Sequence, residues 1–144
     1  MPHRTLREVI QGQSLVTATA TTTVRAAAIA MAEQNVGAIL VVDDQGLLSG
    51  LFTERDALNR VVARGLDPEG TPLSAVMTHQ LQTASPDKLL DHALHLMYEG
   101  GFRHVPVVDN GRPVGMVSAR NALGLEICAF ERALEERDHI AEIL

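Results

Sequence analysis

The sequence predicts an α/β (α+β) fold built from two copies of one unit, strand-helix-strand-strand-helix. The copies pack with pseudo-twofold symmetry and are followed by a long C-terminal helix. Three observations predict this. First, the chain repeats itself. With Thr17 set against Thr83 and one residue skipped near Gln45, 13 of 41 aligned pairs are identical, including Val41/Val107, Asp43/Asp109, Gly50/Gly115 and Arg55/Arg120. Second, each copy carries an apolar stripe at helical spacing followed by a short apolar run. Third, the breaker-rich stretch GLDPEGTP, residues 65–72, separates the copies.

The elements follow in order. LREVI (residues 6–10) parallels LSAVM (residues 73–77) at the head of each copy. A weak first strand is read in LVTAT (15–19) and LQTAS (81–85). Val24, Ala27, Ala28 and Met31 fall at i, i+3, i+4 and i+7, and Leu90, Ala93, Leu94 and Met97 repeat that spacing, so a helix is expected in each copy. Ser85 and Pro86 suit the cap and first turn of the second of these helices, and Gly100 and Gly101 would stop it. AILVV (38–42) and HVPVV (104–108) read as buried strands, DDQG and DNG as turns, and LLSGLF and RPVGMV as the returning strands. A second helix then begins at Thr53 or Ser118. The resulting divisions are residues 6–65, a link at 66–72, residues 73–128, and a helical extension at 129–144. A unit of about 60 residues buries only a modest core, so the copies are expected to pack on each other, leaving paired clefts at the symmetric junction.

From Ala119 to Leu144, the residues Leu123, Ile127, Phe130, Leu134, Ala141 and Leu144 form an a/d ladder broken only by Arg137. Twenty-six helical residues from Ala119 onward would reach about 39 Å. An apolar stripe of that length needs a cover, which a second copy supplies in the commonest oligomers, so a homodimer is expected.

Composition narrows the function. The chain has 144 residues, a net charge of −6, one lysine (Lys88) and no run of basic residues, which argues against a nucleic-acid partner. Aromatic residues make up only 3%, so a bound base would lie between aliphatic walls rather than stacked rings. The longest apolar run, residues 26–32, is far too short for a bilayer, and the N-terminus does not read as a signal peptide. The single cysteine, Cys128, fits a reducing compartment and reads as a small core residue, so a cytoplasmic protein is expected. His92 and His95 share a helix face, but HxxH without a third ligand is weak, and no metal site, cofactor or catalytic set is read.

The tandem repeats, the segment HVPVVDNGRPVGMVSARNAL (104–123) and the segment LFTERDAL (51–58) resemble a pair of CBS domains, together a Bateman module. The resemblance spans roughly residues 6–128, and is in particular to small stand-alone bacterial CBS-pair proteins. It implies a sensor that binds an adenosine nucleotide or related adenosyl ligand between the repeats. A hydroxyl at a strand-to-helix junction can cap the helix or donate to a phosphate, and a carboxylate one turn on can complete a capping box or accept from a ribose diol. The resemblance implies phosphate contacts at Thr53 and Ser118, with Arg55 and Arg120 as further candidates. It implies a ribose contact at Asp56, weaker at Asn121, because a neutral amide bonds less strongly than a carboxylate. It implies base recognition, largely by backbone, around Thr17, Ile39, Thr83, His104, Val105 and Pro106. Gly50 and Gly115 read as positions of close approach. The competing reading is a constitutive dimeric scaffold whose clefts are vestigial.

Overall fold

The computed structural model describes residues 4–121, 132–138 and 140. In chain order these form α1 (Leu6–Val9), β1 (Thr17–Ala18), α2 (Val24–Gln34), β2 (Ala38–Val42) and β3 (Leu48–Thr53). A short α3 (Glu54–Asp56) follows and runs directly into a π-helix (Ala57–Val62). The second repeat has α4 (Leu73–Val76), α5 (Leu90–Gly100), β4 (His104–Asp109) and β5 (Arg112–Ser118). Residues 119–121 open a further helix, and residues 132–138 are helical. Of the expected C-terminal ladder, Leu134 is described and is exposed. Leu123, Ile127, Phe130, Ala141 and Leu144, like Cys128, lie outside the described residues. No helix among the described residues is long and apolar enough to cross a membrane.

The helical stripes are buried at i, i+3 and i+7, whereas the i+4 positions differ: Ala28 is exposed and Leu94 half-buried. Val24, Ala27 and Met31 on α2, and Leu90, Ala93 and Met97 on α5, face inward. The caps of the two helices differ. Thr23 caps α2 by accepting the Ala26 N–H at 3.1 Å. Ser85 and Pro86 do not cap α5, which starts at Leu90 after an N-cap residue, Leu89, with no side-chain bond. Residues 85–88 close a turn instead, and their carbonyls are taken by the N-terminal segment: Leu6 N–H donates to Lys88 O, and Arg7 N–H to Pro86 O.

The first strands also differ. β1 pairs parallel to β2, and β2 pairs antiparallel to β3, giving a three-stranded sheet. The second sheet has only β4 and β5, and the expected LQTAS strand is reduced to a bridge between Ala84 and Val107. Pro106 supplies the reason. In the first repeat Leu40 N–H donates to Val16 O, whereas Pro106, which occupies the same place, has no N–H. The next two rungs survive, from Ala84 N–H to Pro106 O and from Val108 N–H to Ala84 O.

The repeats are interlocked. Leu73, Val76 and Met77, which head the second repeat in sequence, pack into the core of the first, with Val24, Met31, Ile39, Val41 and Phe52. Leu6 and Ile10, which head the first, pack into the core of the second, with Leu90, Met97, Val105 and Val117. Matching bridges, Thr23 to Pro72 and Thr5 to Leu89, hold the two crossings. A third, smaller cluster lies between the sheets, where Ala38, Leu40 and Leu51 meet Leu81 and Met116. The edge of β3 is completed by backbone, with Leu51 and Thr78 exchanging bonds of 3.0 and 2.8 Å. The edge of β5 is completed by a side chain: the Gln13 amide accepts from Met116 N–H at 2.7 Å and donates to its carbonyl at 2.9 Å.

The paired glycines are explained by this exchange. A Cβ on Gly50 would meet Met77 Sδ at 2.6 Å, and one on Gly115 would meet Ile10 Cγ2 at 2.6 Å and Cβ at 2.7 Å. Methionine can swing aside, but a β-branched side chain cannot. Gly115→Ala is therefore expected to cost about 1–3 kcal/mol in chemical denaturation, and Gly50→Ala less. Shortening the obstacle in the double variant Gly115→Ala/Ile10→Ala should cost less than the sum of the single changes.

Candidate functional site

Two clefts open at the junction of the repeats, and they are symmetry twins. The first, about 440 Å³, is bounded by the start of α3 in one repeat and by the segment from Thr78 to Gln82 and by His104 in the other. The second, about 490 Å³, is bounded by residues 118–121, by the segment from Gln13 to Val16, and by Gly37 and Ala38. Glu54, Arg103 and His104 line both.

The start of α3 is a full capping box. Thr53 Oγ1 accepts the Asp56 N–H and Asp56 Oδ2 accepts the Thr53 N–H, both at 3.1 Å. Asp56 is 8% exposed and makes two further contacts. The Thr78 hydroxyl donates to it at 3.2 Å, and Arg60 Nε lies 3.5 Å from Oδ1. Arg60 also donates to the carbonyls of Val76 and Met77, so Asp56 and Arg60 together fasten this helix to the exchanged α4 segment. Together with the Thr53 N–H, these contacts engage both carboxylate oxygens, while Asp56 still lines the cleft. Thr53 accepts through its oxygen and keeps its own proton to donate.

The twin in the second repeat is wired differently. Asn121 Oδ1 accepts both the Ser118 N–H at 2.9 Å and the Ser118 hydroxyl at 3.0 Å. The Asn121 N–H returns to Ser118 Oγ at 3.3 Å. Ser118 thus turns its proton inward, unlike Thr53.

Of the residues singled out from sequence, Thr53, Arg55, Asp56, His104 and Pro106 line the first cleft. Ser118, Arg120 and Asn121 line the second, with His104 again. Ile39 and Val105, at 1% and 0% exposure, turn into the repeat cores, and strand alternation presents Leu40 and Pro106 to the clefts in their place. Thr17 and Thr83 are exposed and line neither cleft, whereas Val16 and Gln82, one residue earlier, do. Sequence reasoning missed Glu54, Thr78 and Gln13. Thr78 directly follows LSAVM and was within reach of the repeat alignment; Glu54 has no twin, because Ala119 stands opposite. His92 and His95 are exposed on α5, and among the described residues no three His, Cys, Asp or Glu side chains cluster as metal ligands.

His104 sits where the clefts meet. Gly37 leaves the room: a Cβ there would stand 3.1 Å from Glu54 Oε1 and 3.3 Å from His104 Nε2. Burial lowers the His104 pKa from 6.5, with Glu54 opposing and Arg103 reinforcing the shift. The folded state therefore binds fewer protons than the unfolded state between the lowered pKa and 6.5. Stability from this group is complete above about pH 6.5 and falls as the pH drops toward the folded value. Urea unfolding from pH 7.5 down to pH 5 should show that fall, and His104→Gln should flatten it.

The comparisons agree with this geometry. The CBS domain pattern matches residues 6–63 and 73–126. The chain is similar to the CBS domain-containing protein CBSCBSPB2 of Arabidopsis thaliana, 40% identical over 120 residues, which cover 83% of this chain and only 22% of that relative. The solved CBS-domain containing protein ATU1752 from Agrobacterium tumefaciens is 29% identical with a TM-score of 0.76, over 83% of this chain and 96% of that one. The CBS domain pair of protein MJ0100, solved in complex with 5-methylthioadenosine and S-adenosyl-L-methionine, is 25% identical with a TM-score of 0.73, over 81% of this chain and 94% of that one. Two interlocked repeats, paired clefts and a match to both halves of the chain have one reading: this protein belongs to the CBS-domain family, as a tandem pair.

Proposed function

We propose that the chain is a regulatory sensor module that takes an adenosine nucleotide or related adenosyl ligand in the cleft beside Asp56. CBS pairs are generally regulatory, and the MJ0100 pair holds two adenosyl compounds. The observation that carries the reading is the meeting, in one cleft, of Thr53 and Asp56 from the first repeat with His104 and Pro106 from the second. Thr53 has a proton to donate to a phosphate, with Arg55 alongside. Asp56 lines the same cleft, and a ribose hydroxyl would donate to its carboxylate in competition with Thr78. Leu51, Leu81 and Pro106 offer aliphatic walls for a base, whose edge would be read by backbone. Asn121, whose acceptor is taken by Ser118, is the weaker ribose partner. In this reading the protein is not an enzyme and needs no cofactor. It works in the cytoplasm as a homodimer assembled with help from the C-terminal helix, without nucleic-acid or membrane partners.

One observation favours the scaffold reading. The bonds of Asp56 within the chain account for an aspartate at that position without any ligand. A thermal-shift panel of AMP, ADP, ATP, S-adenosylmethionine and NAD separates the two readings. The sensor is expected to gain melting temperature with at least one of them at millimolar concentration, and a scaffold with none. Asp56→Ala should weaken that ligand tenfold or more, from the loss of a charge-assisted bond, and Asn121→Ala should do so far less. A lower melting temperature in Asp56→Ala with unchanged affinity would leave capping as the whole role of the residue.

A further inference from the structure

The wall common to the two clefts carries a charged cluster that serves neither helix cap: Glu54, Arg103 and His104. The repeat supplies it only once. The twins of Arg103 and His104 are Gly37 and Ala38, and the twin of Glu54 is Ala119. Small residues from each repeat thus leave room for the charged residues of the other. Backbone bonds fix the parts: Glu54 N–H donates to Gly37 O at 2.9 Å, and Ala119 N–H donates to Arg103 O at 2.9 Å. His104 opens β4 in register with Ser118. Glu54 Oε1 and His104 Nε2 lie 3.1 and 3.3 Å from the one point where a side chain on Gly37 would begin. An exposed carboxylate of the first repeat therefore meets a half-buried imidazole of the second across a glycine. Among the described residues Glu54 makes no ion pair, so its carboxylate can turn to the ring. The other charged groups on these walls are Arg55 and Asp56 in the first cleft and Arg120 in the second. Asp56 is already engaged by Thr53, Thr78 and Arg60.

From this we propose that His104 is a proton switch shared by the two clefts: its protonation puts a positive charge on their common wall, draws the Glu54 carboxylate toward the ring across Gly37, and changes both clefts at once. Burial and Arg103 favour the neutral ring, and Glu54 favours the charged one, so the carboxylate from the other repeat is what makes the switch usable. The switch itself needs no ligand. Its effect on an adenosyl ligand rests on the reading above: a bound phosphate would favour the charged ring, so affinity would rise as the pH falls.

The test is a titration of the ligand-free full chain from about pH 8 to about pH 5, followed by nuclear magnetic resonance. The readouts are the His104 ring, the Glu54 side-chain carboxyl carbon and the backbone amides, with His104→Gln identifying the ring signal. The ring midpoint is expected below 6.5. The Glu54 carboxyl carbon and the amides of residues 36–38, 53–56 and 118–121 should move with that same midpoint, and His104→Gln should abolish the common movement. Glu54→Gln, which keeps the shape of the side chain, should shift the midpoint down, and Arg103→Gln should shift it up. The proposal is overturned if the ring shows no titration above pH 5, if Glu54→Gln leaves the midpoint in place, or if the amides of only one cleft follow the ring. The adenosyl panel can fail while this titration holds, and the reverse, so the two readings are decided separately.

Discussion

The structure depends on a reciprocal exchange. Each repeat is too small to close its own core, and each is closed by the short helix that heads the other: Leu73 and Met77 under β2 and β3, Leu6 and Ile10 under β4 and β5. Leu6 and Leu73 are both fully buried, and a leucine taken out of water contributes on the order of 1.5–3 kcal/mol. Glycines at positions 50 and 115 follow from the same packing, since the exchanged segments lie where a Cβ would stand. The clefts follow as well. The chain leaving each exchanged helix becomes a cleft wall, from Thr78 to Gln82 on one side and from Gln13 to Val16 on the other.

Symmetry of fold does not bring symmetry of chemistry. Both helix starts are capped by a hydroxyl and a residue three positions later, so the capping requirement is met equally by Thr53–Asp56 and Ser118–Asn121. Capping therefore does not explain why one copy has a carboxylate and the other an amide. Among the described residues, the carboxylate is the one tied onward, to Thr78 and Arg60, and so to the exchanged segment. A ligand hydroxyl that competed with Thr78 for Asp56 would act on a bond that joins the two repeats. That is the kind of differential contact a sensor requires, since a ligand shifts an equilibrium only by its difference in affinity for the two states.

Much of this was legible in the sequence, and the failures have physical causes. The helix stripes and the strands AILVV and HVPVV are local patterns, and the structure has them within a residue. The cap of α5 was misplaced, because Ser85 and Pro86 are good capping residues that instead open a turn closed by Lys88 N–H on Ser85 O, with the Pro86 carbonyl taken by Arg7, far away in the chain. The first strand of the second repeat was over-read, because alignment transfers a strand but not the N–H that Pro106 lacks. The exchange was invisible, since a repeat alignment shows which segments correspond and not which core each one enters. The π-helical turns from Ala57 to Val62 left no pattern to read either. At the site, Thr53, Asp56, Ser118 and Asn121 stood out through their spacing. Ile39 was chosen one residue off the alternation that turns Leu40 to its cleft, and of the adjacent Val105 and Pro106, both chosen, only Pro106 turns to one.

The most direct test of the account is native-state hydrogen exchange on Leu73→Ala. If the exchange of helices holds, this change in the second repeat's own sequence should open the first repeat: the amides of Ile39, Val41 and Phe52 should lose protection, with those of Leu51 and Thr78, while Val105, Val107 and Val117 keep theirs. Loss of protection centred on Val105, Val107 and Val117 would contradict it, since each leading helix would then belong to its own repeat.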